Sequence, residues 1–206
     1  MTSIDSVIIE ADDTEAAAHF YASAFGLGPQ VRVQPAEEAS AGFRGFTLSL
    51  ITSQPADVDA LFEAAVAEGA TAIKPAAKSL WGYGGVVQAP DGTIWQIASS
   101  SKKNKEPASK KVDDIVLLLG VADMAESKKF YVGQGVPVAK SFGSKYVEFE
   151  AGAGAVKLAL YKRRNLAKVA GVAPEGSGSH RIAVGGDAGA FTDPDGFTWE
   201  ARVPSA

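Results

Sequence analysis

Apolar residues recur along this chain with two alternating periods. Residues 4–10 are β-branched and apolar, which predicts a buried strand. Asp12 or Asp13 then caps a helix reaching about Phe25, with Ala16, Phe20 and Ala24 recurring at i, i+4 on its buried face. Gln30–Val33 and Phe43–Ile51 read as strands. Pro55 and Asp57 open a second helix, carried by Val58, Leu61, Phe62, Ala65 and Val66 and ended by Gly69. Strands follow near residues 72–74, 84–88 and 94–98, the last two joined by the turn Pro90-Asp91-Gly92. A similar series then begins again: a strand over 112–119, a helix from about Ala122 to Val132, and strands at 138–141, 145–150 and 155–161. After a Gly/Ser-rich stretch come His180–Val184 and Thr198–Val203.

The second series repeats the first. Ile4-Asp5-Ser6-Val7-Ile8-Ile9 resembles Val112-Asp113-Asp114-Ile115-Val116-Leu117, and each leads into a helix ending in Phe-Tyr, at 20–21 and 130–131. Ala89-Pro90-Asp91-Gly92-Thr93-Ile94-Trp95-Gln96 likewise aligns with Asp193-Pro194-Asp195-Gly196-Phe197-Thr198-Trp199-Glu200. Between the halves, residues 99–111 are rich in serine and lysine, lack an apolar pattern and contain Pro107, as expected of an exposed linker. The expected division is 1–98, a linker at 99–111, and 112–206.

Composition narrows the chemistry. The chain has 206 residues and no cysteine, which excludes disulfides, thiolate nucleophiles and cysteine-held metals. Twenty basic against 24 acidic residues give a net charge of −4, which argues against a nucleic-acid partner. The first 13 residues contain no basic residue, unlike a signal peptide, and no apolar run has membrane-spanning length. The expectation is a cytoplasmic protein, monomeric or homodimeric, with no membrane partner. With only two histidines, no site can use three.

The repeated strand, the helix ending in Phe-Tyr and the D-P-D-G-x-x-W-E hairpin together resemble the vicinal oxygen chelate superfamily. That superfamily includes glyoxalases, bleomycin-resistance proteins and extradiol dioxygenases. The resemblance implies an α+β fold of tandem glyoxalase-like domains, made of βαβββ modules whose curled mixed sheets enclose a cavity. Two modules look trimmed. The first is short between Val33 and Phe43, where two strands are expected, and the last lacks a helix and strand between Val184 and Phe191.

Metal-binding members of this family take ligands from the first and last strands of each module. In the first half those positions hold Ser6 and Gln96, which are poor ligands without charged companions. In the second half they hold Asp114, His180 and Glu200, the outline of a facial triad for Fe, Mn, Ni or Zn, with Glu200 also a candidate catalytic base. The resemblance implies a small-molecule ligand and either no cofactor or one divalent ion. A metal-free binding protein is the first reading; a metal-dependent lyase, isomerase or dioxygenase is the second.

Trp81-Gly-Tyr83-Gly-Gly offers aromatic faces for a planar ligand, so Trp81, Tyr83, Ser6 and Gln96 are the candidate ligand-binding residues. Trp95 and Trp199 recur at equivalent places, as structural residues do. His19 reads as a surface helix residue and Lys162-Arg163-Arg164 as a solvated loop.

Overall fold

Four times along the chain a strand finds a parallel partner that comes later in the same unit, and these four units are what the repeat encodes. The computed structural model describes residues 2–201; the end of the expected last strand, residues 202 and 203, lies outside them. Unit one is β1 (Ile4–Ala11), α1 (Thr14–Phe25) and β2 (Val31–Pro35), followed by the short β3 (Ser40–Gly42). Unit two is β4 (Phe46–Thr52), α2 (Pro55–Ala67), β5 (Thr71–Ser79), β6 (Gly82–Gln88) and β7 (Ile94–Ser99). Unit three is β8 (Asp114–Val121), α3 (Met124–Gly133), β9 (Val138–Ser141), β10 (Tyr146–Phe149) and β11 (Val156–Lys162). After α4 (Arg163–Ala170) and β12 (Gly176–Gly178), unit four is β13 (Ile182–Gly186), β14 (Phe191–Thr192) and β15 (Thr198–Ala201).

Units two and three are complete: β4 runs parallel to β7, and β8 to β11, with the middle strands outside them. Unit one pairs β1 directly with β2 in parallel and has no middle strands. In unit four, β13 is parallel to β15, β14 lies antiparallel beside it, and no helix intervenes. These are the two trimmings expected from the sequence. The helix ends are local chemistry. Asp13 accepts from the Ala16 N–H (2.9 Å), and Asp123 accepts from the N–H groups of Ala125 (2.8 Å) and Glu126 (3.1 Å). Among the described residues, no helix is long and apolar enough to cross a membrane.

Units pair across the repeat, not within its halves. β1 is antiparallel to β13 (Val7 opposite Val184), and β4 is antiparallel to β8 (Leu48 opposite Leu117). A single bridge, Ile4 to Val156, joins the two assemblies into one sheet. One core runs beneath the helices through both halves, including Val7, Phe20, Leu48, Leu61, Trp95, Leu117, Tyr131, Leu158 and Trp199. The linker backbone is held rather than loose. The buried Gln54 side chain accepts from the N–H groups of Lys105 (2.8 Å) and Glu106 (3.0 Å), and Asp57 accepts from that of Ser109 (2.7 Å).

The repeated Phe-Tyr and Asp-Gly motifs meet in space. Tyr131 donates to Asp193 (2.6 Å) and accepts from the Trp199 indole (3.3 Å). Asp195, two residues on, accepts from the Ser127 hydroxyl (2.8 Å) and the Ala122 N–H (2.7 Å). The first half has Ala89 where Asp193 stands and Ala17 where Ser127 stands, so Tyr21 turns instead to Asp91, the counterpart of Asp195. Burial first, and then the adjacent carboxylate, push both phenols well above the ordinary tyrosine range. Each tyrosine thus ties its own unit's helix to the terminal hairpin of the next unit.

The opposite face of the β4–β8 assembly is also covered, by an element the sequence pattern does not announce. α4 lays Leu166, Ala167 and Ala170 onto Val86, Ile94, Leu118 and Ala159, forming a second apolar cluster with Phe43. Gly120 makes this approach possible: a Cβ there would lie 2.8 Å from the Gly45 carbonyl oxygen and 3.0 Å from the Arg163 Cα. Lys162-Arg163-Arg164, expected as a solvated loop, instead leads into this helix. Arg163 donates to the carbonyls of Pro174 (3.0 Å) and Phe43 (2.5 Å), and its guanidinium lies 5.2 Å from the Phe43 ring centroid.

Removing the Tyr131 hydroxyl leaves the buried Asp193 short of a donor. Tyr131→Phe is therefore expected to cost about 1–3 kcal/mol in urea unfolding. Tyr83→Phe, whose partner Asp59 is only part-buried, should cost less than about 1 kcal/mol. Equal losses would contradict the pinning role of Tyr131.

Candidate functional site

α4 fills the centre of the β4–β8 assembly and leaves that face open toward its β5–β6 edge. There a cleft of about 350 Å³ is bounded by Lys74, Ala77 and Lys78 of β5, Trp81 of the following turn, Val86 of β6, Gln96 and Ala98 of β7, and Val169 of α4. Trp81 is 85% exposed, whereas Trp95 and Trp199 are buried. Gln96 donates from Nε2 to the Thr47 hydroxyl (2.9 Å), which fixes the amide's orientation. Lys74 donates from Nζ to the carbonyls of Lys168 (3.0 Å) and Val169 (2.5 Å), so an ammonium sits at the negative end of α4.

Of the four expected ligand-binding residues, Trp81, Tyr83 and Gln96 border this cleft. Tyr83 contributes no stacking face to it. Its ring packs against the helix-covered core, and its hydroxyl donates to Asp59 of α2 (2.7 Å), a bond that holds the phenol up at about 12. The glycine of the motif serves the same packing: a Cβ on Gly85 would lie 2.8 Å from the Phe62 ring of α2. Ser6 lies elsewhere, buried on β1 against Gly185 of β13.

The β1–β13 assembly carries a second concavity, a groove of about 440 Å³ bordered by Glu10, Glu37, Glu38, His180, Thr198 and Glu200. His180 and Glu200 do come together here. Asp114 does not: it starts β8 in the other assembly and pairs with Lys157 (2.8 Å). The His180 ring is also committed. Nδ1 lies 2.5 Å from the Arg44 carbonyl oxygen, Nε2 lies 3.0 Å from that of Asp195, and the ring stacks on Phe197 at 4.0 Å. Carbonyl oxygens only accept, so both nitrogens face acceptors, where a metal needs a lone pair. Among the described residues, no three His, Asp or Glu side chains form a group able to hold a metal ion. The expected triad His180, Glu200 and Asp114 therefore does not fit a divalent ion: the strand pairing that joins unit two to unit three carries Asp114 away from the other two.

His19 is exposed on α1, 3.8 Å from Glu68, as a surface residue. The residues missing from the sequence reading are Lys74, Lys78 and Val169 in the cleft and Glu10, Glu37 and Glu38 in the groove. The packing of α4 brings Val169 to the cleft, and the pairing of β1 with β13 brings Glu10 to the groove.

Similarities to known proteins agree with this architecture. No family model and no curated protein matches the chain by sequence. Among solved structures, glyoxalase I from Zea mays superposes with a TM-score of 0.63 at 14% identity, covering 98% of this chain and 92% of that one. A proposed dioxygenase from Bacillus subtilis gives 0.60 at 10% identity, covering 97% and 84%. The chain has the curled, mixed-sheet α+β fold of these structures.

His180 acts here as a clamp between Arg44 and the 195 turn. His180→Ala is accordingly expected to lower stability by about 1–3 kcal/mol, and Mn²⁺, Ni²⁺ or Zn²⁺ should leave the melting temperature of the parent protein unchanged. A metal-dependent rise in Tm, abolished by both His180→Ala and Glu200→Gln, would contradict this assignment.

Proposed function

We propose that this protein binds a small, flat organic molecule in the cleft beside α4, and does so without a metal ion. The observation that carries the reading is Trp81. An indole left 85% exposed at the rim of a largely apolar cleft is costly to keep in water and well suited to stack on a planar ring. The cleft volume of about 350 Å³ suits a ligand of one or two fused rings. Gln96, oriented by Thr47, adds a fixed polar group on the floor.

This role corresponds to that of metal-free binding members of the fold, which sequester a compound rather than transform it. The alternative is a divalent-metal-dependent lyase, isomerase or dioxygenase with Glu200 as base. It would need His180, Glu200 and Asp114 at one ion, and those side chains stand in two different assemblies.

Two of the three tryptophans are buried, so the solvent-exposed emission belongs to Trp81. Flat aromatic compounds are expected to quench it saturably, and Trp81→Phe should abolish that response while leaving the melting temperature unchanged. Saturable quenching that persists in Trp81→Phe, or none from any compound tested, would refute the assignment.

A further inference from the structure

The cleft and the groove carry opposite charge. The cleft is bordered by Lys74 and Lys78 and by no Asp or Glu, in a chain whose net charge is −4. The groove of the other assembly is bordered by Glu10, Glu37, Glu38 and Glu200 and by no Lys or Arg. Acidic residues outnumber basic ones overall, yet they are excluded from the border of the cleft that holds the exposed indole.

The two lysines differ in their placement. Lys74 Nζ already donates to the last carbonyls of α4, so it is a fixed charge on the cleft wall. Lys78, directly opposite Tyr83 in the β5–β6 ladder, shares that residue's face and projects away from the cleft, so Lys74 is the cation that faces it. A cationic wall beside an aromatic platform, with no competing carboxylate, attracts an anion to the cleft and disfavours a cation of the same shape.

On the premise that the Trp81 cleft is the binding site, we infer that its ligand is a planar organic anion. Its ring lies against Trp81, and its carboxylate or similar group lies toward Lys74. A neutral ligand of equal area gains the stacking alone. A cationic one meets a like charge.

Three probes of one shape test this on the full chain: 2-naphthoate, 2-naphthamide and 2-naphthylmethylammonium. Binding is read from the Trp81 indole N–H signal in a ¹⁵N correlation spectrum, assigned by its loss in Trp81→Phe. The carboxylate is expected to bind about three- to tenfold more tightly than the amide and the ammonium most weakly, with the carboxylate's advantage shrinking as salt is raised. In a folded Lys74→Met variant, carboxylate and amide should bind alike; the comparison on the parent protein stands even if that variant does not fold. Equal or tighter binding of the amide or the ammonium would overturn the anion inference while leaving the Trp81 cleft in place. No shift of the Trp81 signal with any probe would overturn both. A carboxylate preference that persists in the folded Lys74→Met variant would overturn the role given to Lys74.

Discussion

Strand pairing across the repeat is the constraint on which the rest of the molecule depends. β1 ladders to β13 and β4 to β8, so units one and four share one curled assembly and units two and three share the other. The tyrosine contacts run in the complementary direction. Tyr21 of unit one reaches Asp91 in the hairpin of unit two, and Tyr131 of unit three reaches Asp193 in unit four. Ladders and tyrosine contacts together close a ring of four joints. Losing one joint leaves each unit attached through another, and the price is a pair of buried phenol–carboxylate contacts that must stay satisfied.

The trimming of the outer units and the filling of the inner ones follow from this arrangement. Two complete units bring a wide apolar face together, with Val86, Ile94, Leu118 and Ala159 on its concave side. Left bare, such a face would be an aggregation surface. The chain supplies its own cover in α4, whose C-terminal end is held by Lys74 and ended by the left-handed Gly171. The cleft beside Trp81 is what this cover leaves open. The outer pair, with fewer strands and glutamates at its border, carries a polar groove.

Much of the fold was legible in the sequence because local signals and the buried pattern agree there. Capping aspartates, the Phe-Tyr pairs within α1 and α3, and the two Asp-Gly hairpins are short-range chemistry, and each appears where the pattern puts it. α4 was hidden for a physical reason. It has no side-chain N-cap, it opens on Arg163 and Arg164, which oppose the helix dipole, and only Leu166, Ala167 and Ala170 mark its buried face. The site was partly legible. Trp81 and Gln96 lie one strand apart on a single hairpin system, so local reading brings them together. His180, Glu200 and Asp114 instead depend on which units pair, which no short-range signal specifies. Tyr83 reads as a platform in sequence, but the two-residue period of β6 turns its ring to the helix side.

The halves of the repeat thus form one interlocked body, with the groove built by pairing across them and α4 of the second half walling the cleft of the first. Inserting a site for a specific protease after Lys103, within the segment that joins the halves, and cutting the purified protein tests this directly. The two fragments are expected to remain together in native size-exclusion chromatography and to separate only in denaturant. Fragments that separate under native conditions, each retaining its own cooperative unfolding transition, would contradict it.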